Sequence, residues 1–378
     1  MKHNQFNPKF TFVHEPIEFN RYTDKQILQY CMGGTLYMPG TKDFGDKIIN
    51  RQMAGLTSMV MCFEDSIKEE DIPAAEVNAI RFLNQMSDEL DKGTISLNDL
   101  PLIFFRVRNP QQFFDFSKKL EKKHIRVFAG FNFPKFNTQN GDLYFEHLQA
   151  LNDEFREIIY GMPILEGKEI AFKETRIEEL NGVKIILDKY KSIVLNVRVG
   201  ATDFSSCFGA RRGIDYTIYD ILTVRDCLQD VLNYFTRSND YTVSGPVWEY
   251  FRVDKTMKFK DIPQHNIHSS LSTRTPIIND AVDGLLRELV LDKANGFVGK
   301  TIIHPTHLRY VNSMFAVTKE EFEDASQILS VSGGVVKSNN ANKMNEIKPH
   351  RSWAERVYIR AKVYGVIEDE THYIKLFS

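Results

Sequence analysis

Short apolar runs alternate with longer amphipathic segments along most of the chain, and this pattern predicts strands that alternate with helices. The segment after the first apolar run, for example, carries Phe44, Ile48, Ile49 and Met53 at helical spacing. We predict strands at Thr35–Pro39, Ser58–Phe63, Leu102–Arg106, Val127–Phe133, Ile158–Leu165, Ile193–Val199, Tyr241–Val247 and Phe297–Ile303. We predict helices between them at Asp43–Ala54, Ile72–Leu90, Pro110–Lys122, Asp142–Glu154, Arg176–Tyr190, Ile218–Arg237 and Pro276–Asn295.

This alternation is typical of an α/β fold, the (β/α)8 TIM barrel, and a doubly wound parallel sheet is the main alternative. We expect residues 34–312 to form the barrel, and residues 1–33 to cover its closed end or a partner subunit. Residues 313–378 are expected to form a small C-terminal helical lid or oligomerisation segment, with helices at Lys319–Leu329 and Ser352–Tyr364. The Gly-, Ser- and Asn-rich stretch between these helices is interpreted either as a mobile hinge or as a loose surface loop.

Composition narrows the class of protein. The chain has 378 residues, of which 42% are hydrophobic and 26% charged, as is usual for a globular protein. Its formal net charge of −2 provides no basic field for nucleic acid or an anionic membrane. The four cysteines have no paired spacing, and no apolar run is long enough for a signal peptide or a membrane span. We therefore expect a cytoplasmic protein with reduced thiols that binds neither nucleic acid nor membrane.

Polar residues follow the predicted strands, at the end where a parallel barrel carries its chemistry. Glu166 and Asp203 come just after the fifth and sixth strands, and two carboxylates on neighbouring strands suit Mg²⁺ or Mn²⁺. The alternative is a pair of solvated loop acids. The other strand-end residues, expected to line a mouth that binds a small anionic substrate, are Pro39, Gly40, Glu64, Asp65, Arg106, Arg108, Lys135, Gly200, Pro246 and His304.

Several of these residues also have a purely structural interpretation. Asp65 precedes an acid-rich segment and is equally suited to cap the helix that follows. Arg106 is as consistent with a surface ion pair as with substrate binding, and His304 is more typical of a buried, hydrogen-bonded histidine than of a ligand. His265 and His268 lack a convincing companion for a zinc site.

Motifs at the strand ends occur together in the order found in one family. The segments are LYMPGTKDFGDKI, VMCFEDSIKEEDIPAA, FFRVRNP, FPKF, PILEGKE, VGATDF and GFVGKTIIHPTHLRYVNSMF. In this order they resemble the citrate lyase β-subunit-like branch of the HpcH/HpaI aldolase superfamily, over about residues 34–365. The extended N-terminus and the FEDS and GARR variants are similar to the bacterial C–C bond lyases linked to tellurium-resistance or stress gene clusters.

The resemblance implies a TIM barrel that carries one divalent metal, usually Mg²⁺, and assembles as a homotrimer or a multiple of one. Glu166 and Asp203 match the family's metal ligands, and Arg106 matches the arginine that binds a substrate carboxylate or carbonyl oxygen. Glu64 and Asp65 match an acidic pair near the metal. The resemblance also places Pro39, Gly40 and Lys135 in the lining of the mouth.

The chain departs from the family pattern at three places. Gly167 follows the metal-ligand glutamate where relatives have threonine, and Cys62 stands where relatives often have aspartate. Relatives that act on coenzyme A thioesters place an aspartate after a Lys-Met pair in the C-terminal lid. Asn345 and Glu346 occupy that region here, and Glu346 is the acid available to take over the role. A coenzyme A thioester and a free acid therefore both stay open as the substrate.

The implied reaction is retro-aldol or Claisen-type cleavage of a carbon–carbon bond in a small 2-oxo or 3-hydroxy carboxylic acid or its acyl-thioester. The general base is either a water on the metal that Asp65 orients, or Glu346 of a neighbouring subunit. Arg211 and Arg212 either bind an anion or lie on the surface. The alternatives are a metal-dependent acyl-thioester hydrolase and a metabolite-binding component of a stress-response complex with little turnover.

Overall fold

A closed barrel of eight parallel strands forms the centre of the molecule, seen in a computed structural model that describes residues 1–252, 267–340 and 342–377. The strands pair in sequence order, and the eighth pairs with the first. They are β1 (Gly34–Pro39), β2 (Ser58–Cys62), β3 (Leu102–Arg106), β4 (Gly130–Phe133), β5 (Tyr160–Leu165), β6 (Val197–Val199), β7 (Val243–Trp248) and β8 (Lys300–Ile302). Each observed strand overlaps a predicted one, so the TIM-barrel prediction is confirmed.

Helices surround the barrel and pack their apolar faces on it. From the start of the chain to β6 they are α1 (Lys25–Leu28), α2 (Gly45–Ile49), α3 (Ile72–Asp91), α4 (Pro110–Ser117), α5 (Lys122–Ile125), α6 (Gly141–Phe155), α7 (Lys168–Ala171) and α8 (Lys173–Lys189). After β6 follow α9 (Ala201–Cys207), α10 (Leu222–Phe235), α11 (Ile267–Ser272), α12 (Asp280–Ala294), α13 (Leu308–Met314), α14 (Lys319–Ser330), α15 (Ile347–Tyr364) and α16 (His372–Phe377). None of the helices in the described ranges combines the length and apolar character needed to cross a membrane.

Two predicted helices differ most from the observed ones. The helix predicted at Asp43–Ala54 ends at Ile49, because Arg51 takes a left-handed conformation with φ of 52° that a right-handed helix does not accommodate. The helix predicted at Pro110–Lys122 is divided into α4 and α5 by a turn. Leu120 in that turn is buried, so the apolar spacing there indicated burial rather than continuous helix.

The N-terminal extension lies against the amino ends of the strands. His3 is fully buried, stacks on Tyr364 with ring centroids 4.3 Å apart, and places Nε2 3.1 Å from the Cys31 carbonyl. Its Nδ1 lies 3.3 Å from the hydroxyl of Thr57, the residue directly before β2. Burial lowers the pKa of His3 to about 3, so the ring is neutral in the folded protein. These contacts place the extension at the closed end of the barrel, opposite the candidate mouth.

The C-terminal segment has its own small apolar core between α14 and α15. A short parallel pair, β9 (Val317–Thr318) and β12 (Val366–Ile367), joins its two ends. The Gly-, Ser- and Asn-rich stretch contains an antiparallel ribbon of β10 (Val335–Lys337) and β11 (Met344–Glu346), so the alternative of a loose loop does not describe this part. Buried Asn345 holds the ribbon on α14 by donating to Asp324 at 2.8 Å and to Gln327 at 3.0 Å.

A buried network of charges joins β8 to α12 on the outer side of the barrel. The ammonium of Lys300 lies 2.8 Å from Glu288 and 2.7 Å from Asp292, and all three side chains are inaccessible to solvent. Arg212 also pairs with Glu288, and its guanidinium lies 4.7 Å from the centroid of the Trp248 ring. Burial raises the pKa of Asp292 to about 6, and the charge of Lys300 opposes this shift. Arg212 is therefore buried in this network, paired with a protein carboxylate, and does not lie on the surface, which was one of the two alternatives for it.

We expect Lys300→Met to lower the free energy of unfolding by about 3–5 kcal/mol, because it leaves buried Asp292 without its cation and Glu288 with Arg212 alone. Lys319→Met is the matched control, since Lys319 forms an exposed ion pair with Glu368 and should leave the unfolding midpoint nearly unchanged. Urea unfolding followed by circular dichroism measures both. Equal effects of the two substitutions would contradict a stabilising role for the buried network.

Candidate active site

A cavity of about 430 Å³ opens at the carboxyl ends of the strands. Pro39, Cys62 and Arg106 reach it together because they occupy the same level of β1, β2 and β3 in the strand register. The cavity is lined by Tyr37, Pro39, Cys62, Asp65, Ser66, Arg106, Ile164, Glu166, Arg198, Val199, Gly200, Thr202, Asp203, Val247, Thr301 and Ile303. It is the mouth that the strand-end residues predicted.

Glu166 and Asp203 both line this cavity and come just after the neighbouring strands β5 and β6. Glu166 directly follows β5 and is 4% exposed, whereas Asp203 lies half-buried in the first turn of α9. Burial, together with the nearby charge of Asp203, raises the pKa of the Glu166 carboxyl to about 8. A bound cation would relieve both effects, because it would neutralise two carboxylates held close together out of water.

The position of Glu166 is set by its neighbours. The backbone N–H of Lys135 donates to Glu166 Oε1 at 2.9 Å, and Lys135 has a φ of 47°, in the left-handed region that a non-glycine residue rarely adopts. On the other side, a Cβ atom added at Gly200 would lie 2.1 Å from Glu166 Oε2. The strained backbone of Lys135 and the absence of a side chain at Gly200 thus together fix the position of the Glu166 carboxylate.

A second group of charged residues lies beside this pair. Arg106 Nη1 is 3.0 Å from Glu64 and 3.7 Å from Asp65, and Arg106 Nε donates to Cys62 Sγ at 3.0 Å. The ammonium of Lys135 pairs with Glu64 and lies 3.7 Å from Asp65. Burial raises the pKa of Glu64, while Arg106 and Lys135 oppose the shift. Glu64 therefore fixes the two cations, and Asp65, with 57% of its side chain exposed, faces the open cavity.

The site offers a metal ion two protein ligands. Over the described ranges of the chain, no group of three or more His, Cys, Asp or Glu side chains is arranged to hold a metal. Two carboxylates with space around them fit Mg²⁺, which usually keeps several waters and binds through one or two carboxylates and the substrate. His268 instead lies 3.3 Å from Glu370, and His265 lies outside the described residues.

Some predicted mouth residues do not line the cavity. Gly40 packs in its wall, where an added Cβ would lie 2.8 Å from the Phe63 ring. Pro246 is buried in β7 and its neighbour Val247 faces the cavity instead, because successive side chains of a strand point to opposite sides. Glu346 lies exposed at the end of β11 and does not line the mouth of its own chain.

The sequence left a purely structural interpretation open for Asp65, as a helix cap, and for His304, as a buried histidine. The structure shows which contacts each residue makes. Asp65 caps no helix: the residue at the N-cap of α3 is Asp71. His304 stacks on Phe251 with ring centroids 4.2 Å apart, and its Nδ1 accepts from the backbone N–H of Thr306 at 3.3 Å. His304 is thus hydrogen-bonded, as the structural interpretation predicted, but it is half-buried rather than buried.

Sequence reasoning missed several polar residues inside the barrel. Asn132 in β4 donates to the Tyr37 hydroxyl at 2.5 Å, and Arg198 in β6 donates to the Thr301 hydroxyl at 2.6 Å. The available signal was an Asn or Arg at an inward position of an otherwise apolar strand, in GFNF and in VRV. A charged residue at such a position is rare unless it is paired or functional.

Comparison with solved structures finds similar chains at low sequence identity. The protein CitE from Mycobacterium tuberculosis, in complex with magnesium, acetoacetate and coenzyme A, has a TM-score of 0.52 and 15% identity, covering 88% of this chain and 99% of its own. RipC from Yersinia pestis has a TM-score of 0.46 and 15% identity, with 78% and 99% of the two chains covered. No curated protein sequence is significantly similar to this chain.

A family comparison identifies the chain more directly. The model of the family described as C–C bond lyase of the TIM-barrel fold matches residues 26–366, which is most of the chain and includes the whole barrel. The match agrees with the closed eight-stranded barrel and with a charged cavity at the carboxyl ends of its strands. This protein therefore belongs to the C–C bond lyase family of the TIM-barrel fold.

Proposed function

We propose that the protein is a Mg²⁺-dependent lyase that cleaves a carbon–carbon bond next to a carboxylate in a small 2-oxo or 3-hydroxy acid. The observation that carries this proposal is the pair of carboxylates, Glu166 and Asp203, in one cavity with Arg106. Family membership supports cleavage of a carbon–carbon bond. The Mycobacterium tuberculosis CitE structure contains magnesium and acetoacetate, a divalent metal and a small oxo acid, although acetoacetate is a 3-oxo rather than a 2-oxo acid.

Glu166 and Asp203 would hold the metal ion, which would act as a Lewis acid toward a carbonyl oxygen of the substrate. Arg106 provides a second positive group in the same cavity, where it binds the substrate carboxylate and stabilises the negative charge that develops as the bond breaks. Its guanidinium is held from two sides, by Glu64 at 3.0 Å and by Cys62 at 3.0 Å. Such stabilisation depends on this prior positioning, since little rearrangement is then needed during the reaction.

A base must also accept the hydroxyl proton of the substrate. Asp65 is the acid of the second charged group that lines the cavity and is open to solvent, so it is suited to accept the proton directly or through a water. Glu346 would reach a mouth only in an assembly, as Glu346 of a neighbouring subunit in a homotrimer. The proposal keeps this second arrangement for a coenzyme A thioester substrate, the case for which the family resemblance implies an acid from the lid.

The proposal also retains two finer expectations from the sequence. Mn²⁺ is expected to substitute for Mg²⁺, because both are bound by carboxylate and water oxygens. The FEDS and GARR variants support a place in the branch linked to tellurium-resistance and stress gene clusters.

We expect Glu166→Gln to abolish Mg²⁺ binding to chelator-treated protein, because the amide lacks the charge of one of two ligands. Glu169→Gln is the matched control, since Glu169 is exposed and lies three residues further along the chain. Isothermal titration of Mg²⁺ and Mn²⁺ measures both. Unchanged binding to the Glu166 variant would contradict the assignment of the metal ligands.

We expect Gly200→Ala to weaken Mg²⁺ binding, because its Cβ would meet Glu166 Oε2 at 2.1 Å and displace that carboxylate. Gly209→Ala is the control for adding a methyl group nearby, since an added Cβ has no neighbour within 4 Å there, although its φ of 60° costs backbone strain. The same titration, with thermal unfolding in parallel, separates a local effect at the site from a loss of fold. Normal metal affinity of folded Gly200→Ala would show that the close approach has no role in positioning Glu166.

We expect Arg106→Met to lower kcat/KM for carbon–carbon cleavage by about 100- to 1000-fold, as for removal of a charge-stabilising donor. Arg108→Met should have little effect, because Arg108 follows β3 by only two residues but does not line the cavity. The assay follows release of a new carbonyl compound from a panel of 2-oxo and 3-hydroxy acids and their acyl-thioesters with Mg²⁺. Release of a free acid without a carbonyl product would favour a hydrolase instead.

A further inference from the structure

Arg198 is a buried cation with unsatisfied donors on the wall of the cavity. Its side chain comes from β6 and is only 1% exposed. One nitrogen, Nη2, donates to the Thr301 hydroxyl at 2.6 Å, but Nε and Nη1 have no hydrogen-bond partner among the residues the structure describes. No carboxylate in the same described ranges lies within ion-pair distance of it.

Burial of Arg198 in this state lowers the stability of the fold unless a ligand accepts hydrogen bonds from its free donors. A guanidinium stays charged in a protein, so Arg198 cannot avoid the cost of burial by losing a proton. A buried donor without a partner destabilises the fold, and more so when it carries charge. Buried charged groups that a fold retains in this state, in a cavity, are suited to bind an oppositely charged ligand.

The neighbouring arginine is in a different state. The guanidinium groups of Arg106 and Arg198 lie 5.4 Å and 5.5 Å from the centroid of the same Tyr37 ring, and both side chains line the same cavity. Arg106 already has Glu64 and Cys62 as partners, whereas Arg198 has only a neutral hydroxyl. The cavity therefore contains two anion-binding groups, and Arg198 is the one without a protein counter-charge.

The charge balance of the mouth points the same way. Without a metal ion, the mouth contains four acidic and three cationic side chains, so their formal charges sum to −1. A bound divalent cation would change this sum to +1, an excess of one positive charge. That excess favours an anionic substrate, in particular one with a group that reaches Arg198. The charged residues counted are Glu64, Asp65, Glu166 and Asp203 against Arg106, Lys135 and Arg198.

We propose that Arg198 binds a second carboxylate of the substrate, so that the enzyme acts on a dicarboxylic rather than a monocarboxylic acid. One carboxylate or carbonyl oxygen lies toward the metal ligands and Arg106, and the other carboxylate accepts hydrogen bonds from Arg198. Neutral Val247 and Ile164 complete the wall near them and add no competing charge. The inference rests on the proposed function for the reaction, but it concerns binding alone and is tested separately.

The test compares malate with lactate, which differ by one carboxylate and are stable in solution. Isothermal titration in saturating Mg²⁺ should show malate binding to the wild-type protein about 10- to 100-fold more tightly than lactate. Arg198→Met should remove this preference while lactate and Mg²⁺ bind as before, and Arg198→Lys should restore part of it. Arg108→Met, outside the cavity, should keep the full preference.

Equal affinity of the wild-type protein for malate and lactate would overturn the assignment, as would a malate preference that persists in Arg198→Met. Thermal unfolding of ligand-free Arg198→Met gives an independent measurement, because removal of a buried unpaired charge should leave the stability unchanged or raise it. Failure of the lyase proposal is distinguishable: it would appear as absence of carbonyl product from any dicarboxylic acid while the binding preference remains.

Discussion

The closure of eight parallel strands in register is the constraint on which the site depends. Parallel strands send all their carboxyl ends to one rim, so residues far apart in sequence meet there. Pro39 pairs with Cys62, and Cys62 pairs with Arg106, in the strand register. The ends of β1, β2 and β3 therefore lie at the same level of the rim, although these residues are far apart in the sequence. The N-terminal extension packs at the opposite end, where His3 contacts the residue before β2, and thus leaves the chemical rim open.

The buried charges on the outer side of the barrel are paired with one another, whereas those in the mouth are only partly paired. On the outer side, Lys300 meets Glu288 and Asp292 at hydrogen-bond distance, and the charges are matched within the protein. Inside the mouth the matching is incomplete: burial raises the pKa of Glu166 to about 8, and Arg198 retains donors without partners among the described residues. Charges that are matched only when a cation and an anionic ligand bind are the signature of a binding site, because the ligands then supply the missing interactions.

Apolar periodicity was sufficient to predict the barrel strands, since buried parallel strands are continuous apolar runs that turns interrupt. It was less informative for α2, because a left-handed residue at Arg51 ends the helix while the apolar spacing continues. It also did not show the ribbon of β10 and β11, whose strands are mostly exposed and have no apolar pattern to detect. Position after a strand was a sound guide for Glu166, Asp203 and Arg106, but not for Pro246, where a shift of one residue turns the side chain away.

The sequence by itself determined the fold class, the order of the strands and the acids at the ends of β5 and β6, because local periodicity and strand ends are properties of neighbouring residues. Only the tertiary structure decided which charges are satisfied. Arg198 lies in β6 and Arg212 in the segment after α9, yet Arg212 pairs with buried Glu288 outside the barrel, whereas Arg198 faces the cavity with no counter-charge among the described residues. That difference arises from packing between distant segments, which fixes the distance between charges and the water that reaches them.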